Sequence, residues 1–197
     1  DGYYYRPRVD KKLLKQYSEG LIALSGCPSG EFIRSLEDGK IEKSEEILKS
    51  YQEIFGSDFY LELQHHPYQE SLDLAVDDVV KQDMKRLLDI QNQTKKAVIE
   101  LSHKMGIKIV ATNDFHYIKK EDAEAQDALL CIQTGKFLSE TQRLRMIDTP
   151  DYYVKSADEM LENFKDIPEA LENTAKIADE VNIEIPLGVA RFPVFKT

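Results

Sequence analysis

Three short apolar runs in this chain each stop at side chains able to hold a metal. Leu21 to Ser25 ends at Cys27, Phe59 to Leu63 at His65 and His66, and Ile107 to Ala111 at Asp114 and His116. Short continuous apolar runs are the pattern of strands buried on both faces of a parallel sheet. In α/β barrels such strands present functional residues at their carboxyl ends, so groups far apart in sequence can meet at one mouth. The recurrence predicts an α/β fold, part of a TIM-like barrel, with one metal-centred site of the phosphoesterase kind gathered from strand ends.

Helical stretches separate the runs, as crossovers between parallel strands require. Ser44 to Phe55 sets Ile47, Leu48, Tyr51 and Phe55 at helical spacing ahead of Gly56. From Val79 to Met105, the residues Met84, Leu87, Leu88, Gln91, Thr94, Val98, Leu101 and Met105 recur on one face, and Gly106 follows. A helix after Lys119 carries Ala123, Gln126, Ala128, Leu129 and Ile132 and ends before Gly135. The character then changes. Ser156 to Glu159 fits a capping box, with Met160, Leu161 and Phe164 as the buried face, and Pro168 opens a last helix lined by Leu171, Ile177 and Val181. Residues 1–139 are therefore expected to form the barrel portion and 140–197 a small helical extension.

Composition narrows the options. A chain of 197 residues, 42% hydrophobic, can fill one ordinary core with a small appendage. A net charge of −10 without a basic stripe excludes strong unaided binding to DNA at physiological salt. No apolar stretch approaches the roughly 20 residues that span a bilayer, and no signal peptide is expected. With only Cys27 and Cys131, a cytoplasmic chain with reduced thiols is expected. The chain opens on Asp1-Gly2-Tyr3-Tyr4-Tyr5 without a methionine and closes on the apolar Arg191 to Phe195, so it is expected to be a piece of a longer protein.

Asp114 and His116 are the leading chemical pair. Residues two apart in an extended segment point the same way, so both can face one ion. Carboxylate with imidazole suits zinc, manganese or iron, and bound water at such an ion ionises near neutrality. An Asp-x-His alone is weak evidence, since two polar residues after a buried strand are common as turn chemistry or as a hydrogen-bonded pair. Cys27, in a tight Gly-Cys-Pro-Ser-Gly loop, is a soft zinc donor or else a small apolar filler, and Cys131 on its helix reads as filler. His65 and His66 are adjacent and must diverge, so at most one can reach the centre of Asp114. Glu62 is expected to be a satisfied structural carboxylate, His103 a surface residue, and Asp73, Asp77 and Asp78 a solvated helix start.

At Leu24 to Glu31, Tyr60 to His66 and Ala111 to Tyr117 the chain resembles the polymerase and histidinol phosphatase (PHP) domain at the amino end of bacterial DNA polymerase III alpha subunits. The resemblance continues through Asp127 to Lys136 and Tyr153 to Met160, so it covers nearly the whole chain. It implies a distorted (β/α)7 barrel followed by a connector toward the polymerase core. It also implies a divalent metal cluster, of zinc or manganese, for which Cys27, Asp114 and His116 match ligands, with His65 as a weaker candidate. Asp114 and His116 would then be catalytic. The family's opening His-x-His motif and its other early ligands have no counterpart here, so the site in this chain is expected to be incomplete.

The implied function is part of a DNA-directed DNA polymerase, with a metal-dependent 3′–5′ exonuclease in the intact parent and little activity in this piece. The implied partners are the rest of the polymerase chain, other replicase subunits including a separate exonuclease subunit, and DNA only through the parent. The alternatives are a non-catalytic scaffold and, further off, a free-standing phosphatase of the same superfamily.

Overall fold

The structure, a computed structural model, describes residues 5–26 and 28–188. In chain order the elements begin with α1 (Lys11–Gln16), β1 (Ala23–Leu24), α2 (Glu31–Glu37), α3 (Ile41–Phe55) and β2 (Phe59–Leu63). They continue with α4 (Tyr68–Leu74), α5 (Asp78–Met105), β3 (Lys108–Ala111), α6 (Ala123–Thr134), α7 (Ala157–Asn163) and α8 (Pro168–Glu180).

The three apolar runs pair as a parallel sheet in the order β1-β2-β3. Tyr60 lies opposite both Leu24 and Lys108, which brings the three carboxyl ends to one side of the molecule. The α/β class is as expected, and three parallel strands are what the described residues contain. β1 is shorter than the run that encodes it, since Leu21 and Ile22 precede the pairing and Leu21 stays 49% exposed. Leu61, Leu63, Ile109 and Ala111 bury against Phe32, Ile33, Leu48, Val98 and Leu101 from α2, α3 and α5. Burying an aliphatic side chain of this size contributes about 1.5 to 3 kcal/mol.

The helix signals read in the sequence hold at several ends. Asp77 caps α5 through its side chain, accepting from the backbone N–H of Val79 and Val80, and Gly106 ends that helix in the left-handed region at φ 66°. Ser156 and Glu159 form the reciprocal capping box of α7, and Pro168 opens α8.

One helix is rotated from the expected face, and on another a single expected residue stays outside. On α6, Leu129 and Ile132 are 59% and 78% exposed, while Asp127, Leu130 and Cys131 are buried. The cause is an ion pair: Arg143 grips Asp127 with both terminal nitrogens, at 2.7 and 2.6 Å, and turns that side of the helix inward. At α7, Met160 and Phe164 pack on the core as expected, and Leu161 stays outside, 57% exposed.

α8 packs on β3, with Ala170 and Asn173 buried, and Val181 lies past its end, exposed. Its polar side chains reach the strand. Asn173 Nδ2 donates to the carbonyl of Ile109 at 2.8 Å and Thr174 Oγ1 to that of Ala111 at 2.6 Å. Residues 157–180 thus share the core of the sheet they follow. Tyr3, Tyr4, Phe192 and Phe195, singled out as terminal aromatics, lie outside the described residues.

Candidate active site

The sheet delivers its carboxyl ends to a cleft of about 570 Å³. Gly26 and Pro28 follow β1, Glu62 to His66 end β2, and Asp114 and His116 follow β3, and all of these positions except His65 line the cleft. α2 and α5 form the opposite wall, and Tyr152 closes one end. This convergence is the placement expected of strand-end residues in a parallel sheet.

Asp114 sits at the centre of the polar end, half-buried, with 28% of its side chain exposed. Its Oδ2 lies 3.5 Å from His66 Nε2 and its Oδ1 3.9 Å from His116 Nδ1. His116 Nδ1 also faces the carbonyl of Asp114 at 3.2 Å, which directs Nε2 away from its own backbone. The interaction with His66 holds the Asp114 carboxyl below its usual range against the opposing effect of burial. Asp114 and His116 thus lie side by side in the cleft.

Of the adjacent histidines it is His66 that reaches Asp114. Its side chain is 6% exposed, and Nδ1 is 3.2 Å from Asp151 Oδ2. Gln91 of α5 fixes the backbone there on both sides, accepting from the His66 N–H at 2.8 Å and donating to its carbonyl at 3.0 Å. The Tyr152 ring lies 4.5 Å from the imidazole. Burial disfavours the charged ring, yet the two carboxylates outweigh it and raise the pKa. His65, proposed from sequence as the weaker ligand, turns the other way. Its ring meets Phe164 edge-on at 6.4 Å, and burial lowers its pKa. Successive side chains at a strand end point to opposite sides, so the selection of one histidine excludes the other.

Asp151 extends the network. Lys155, 4% exposed, binds its carboxylate at 2.8 Å and its carbonyl at 2.7 Å. The segment that carries it is bonded to the end of β3, with His116 N–H and Tyr117 N–H donating to the Tyr152 carbonyl at 2.7 and 3.1 Å. Asn113 Nδ2 donates to the Tyr153 carbonyl at 3.1 Å. No sequence signal marked Asp151, Tyr152 or Lys155 as site residues, because their role depends on a fold-back of about forty residues. Glu62 is the satisfied carboxylate expected of it, accepting from the Gly26 N–H at 3.1 Å and the Thr112 hydroxyl at 2.5 Å.

The donor types at this end suit a divalent ion. Separations of 3.5 and 3.9 Å are long for hydrogen bonds. The set is small, however: among the described residues no group of three or more His, Cys, Asp or Glu side chains is arranged to hold a metal. Cys27, the third expected ligand, lies outside the described residues. Among them, too, no helix is long and apolar enough to cross a membrane.

Residues 1–66 match the PHP domain family. Over 91% of its length the chain is 40% identical to the DNA polymerase III subunit alpha of Borreliella burgdorferi, covering 14% of that protein. It is 39% identical over 95% of its length to the subunit of Helicobacter pylori strain 26695, and 36% over 100% to that of Treponema pallidum, covering 14% and 15% of them. The chain thus spans about a seventh of the length of the curated relatives it matches.

Proposed function

Because this chain is a PHP-domain sequence homologous to one stretch of DNA polymerase III alpha subunits, we propose that it serves as the PHP region of a DNA-directed DNA polymerase. The observation that carries this is identity of 36 to 40% along 91 to 100% of the chain to relatives of that name. The parent would extend DNA, with its nucleotide-transferring residues outside this chain. Residues 1–139 would belong to the later portion of a distorted (β/α)7 barrel and 140–197 to the connector toward the polymerase core, in a cytoplasmic replicase with further subunits as partners.

We further propose that the cleft belongs to a metal-dependent 3′–5′ exonuclease of the parent. Asp114 and His116, with Cys27, would hold zinc or manganese. Such an ion, when bound, lowers the pKa of coordinated water toward neutrality. The chain's own residues do the rest: His66 and Asp151 hold the Asp114 carboxylate in register, and Tyr152 and Tyr68 wall the polar end of the cleft. On this reading DNA would meet the chain at the cleft and not on its acidic outer surface.

A second reading has its own support. The region after β3 exposes Phe115, Ile118, Leu129, Ile132, Phe137 and Leu138. Such a surface suits a non-catalytic scaffold that docks on polymerase parts or partner subunits. Elemental analysis of the purified chain against an Asp114→Asn, His116→Ala double variant separates the two. Stoichiometric zinc or manganese lost in the variant, followed by release of 3′-terminal nucleotides by a full-length protein of this sequence, supports the exonuclease. Metal-free protein in both cases, with no release, supports the scaffold.

A further inference from the structure

We propose that Arg34 and Arg86 hold the phosphate of a strand-terminal nucleotide in the cleft, while its base lies on Leu87 and Ile90. This rests on the reading of the cleft as a phosphoester site and assigns the substrate-holding residues within it. Arg34 projects from α2 and Arg86 from α5, two helices that pack on each other, and both arginines line the same cleft as Asp114 and His116.

Neither guanidinium is committed elsewhere. Arg34 has no side-chain hydrogen bond or ion pair among the described residues. The ion pair of Arg86 is with Asp83 at 3.9 Å, with both side chains more than 60% exposed, a geometry worth little. Arg143 and Arg145, by contrast, are consumed by carboxylates: Arg143 by Asp127 at 1% exposure, and Arg145 by Asp148 through two contacts of 2.7 and 2.6 Å. A planar fork of donors left free at a cleft matches the paired oxygens of a phosphate.

The carboxylates in the cleft leave room for an anion. Glu62 is bonded to Gly26 and Thr112, and Asp114 is faced by His66. Glu37, one turn beyond Arg34 on α2, is the carboxylate that opposes a phosphate there. Leu87, Ile90 and Met146 give the lining an apolar part, and the volume of about 570 Å³ falls within the usual size of a small-ligand pocket. Two forks, an apolar wall and a carboxylate–imidazole end together fit a nucleoside monophosphate unit better than inorganic phosphate alone.

The test is calorimetric titration of this chain with thymidine monophosphate, thymidine and inorganic phosphate. Arg34→Ala and Arg86→Ala would be compared with Lys49→Ala, which removes an equal charge on α3 away from the cleft. The expected result is binding of the monophosphate at least tenfold tighter than of thymidine or phosphate. Each arginine variant weakens it about tenfold, Lys49→Ala leaves it unchanged, Arg34→Lys keeps only part, and Glu37→Gln strengthens it. No binding of the monophosphate, or equal losses in the arginine and Lys49 variants, overturns the proposal. The metal content of the Asp114/His116 double variant is read independently, so failure here leaves the reading of the parent's function standing.

Discussion

His66 stands between Asp114 and Asp151, with Nε2 3.5 Å from the first carboxylate and Nδ1 3.2 Å from the second, although 85 residues separate it from Asp151. One imidazole therefore ties the end of β2 to the end of β3 and to the segment after α6. Since its side chain is only 6% exposed, water cannot replace either partner at low cost.

Removing Asp151 should be costly in a specific way. Lys155 is 4% exposed and would lose its carboxylate, leaving a buried charge unpaired. Asp151→Ala is expected to destabilise the fold by about 3 kcal/mol or more, and Asp151→Ala with Lys155→Met to recover a large part of that. Urea unfolding followed by circular dichroism measures both, and a double variant no more stable than the single one would refute the pairing.

The clasp on α6 predicts a local effect. Arg143 and Asp127 are 1% and 7% exposed and meet through two hydrogen bonds, and Arg143 also donates to the Glu140 carbonyl at 3.0 Å. Arg143→Ala should cost about 3 kcal/mol and open the 136–148 segment. Limited proteolysis should then cut in that segment first, with α5 remaining intact.

Gly106 isolates backbone strain. Its φ of 66° suits glycine, and a Cβ there would meet nothing within 4 Å. Gly106→Ala should therefore cost about 1 kcal/mol through conformation alone, and Gly106→Asn less. Thermal unfolding of the two variants provides the comparison.

Glu159 governs an acid response. The Tyr153 hydroxyl, then the Ser156 N–H and hydroxyl, pull its pKa from 4.5 to about 2. A depressed carboxylate contributes stability that is present above pH 4.5 and is lost as pH falls through about 2. Amide exchange in α7 should accelerate across that window in the parent sequence. In Glu159→Gln the change across that window should be flat, from a lower starting protection.

What the sequence could disclose was set by local rules. The strands at 59–63 and 107–111, the α5 boundaries at Asp77 and Gly106, and the capping box at Ser156 are each written in adjacent residues. Asp114 and His116 were legible for the same reason, standing two apart after a buried strand. The choice of His66 over His65, the inward turn of Asp127 and the recruitment of Asp151 were not. Each depends on a partner 16 to 85 residues away, and only tertiary packing supplies it. Leu129 and Leu161 were misread because hydrophobicity alone was used to orient helices whose placement is fixed by an ion pair and by Phe164.

The side chains of Asn173 and Thr174 occupy the carbonyls of Ile109 and Ala111 that β2 leaves unbonded. This makes growth of the sheet one-directional. An added strand on the β3 side would have to evict α8, whereas the outer edge of the two-residue β1 carries no such seal among the described elements. Any further strand, from the same polypeptide or from a second copy, has to register against Ala23 and Leu24.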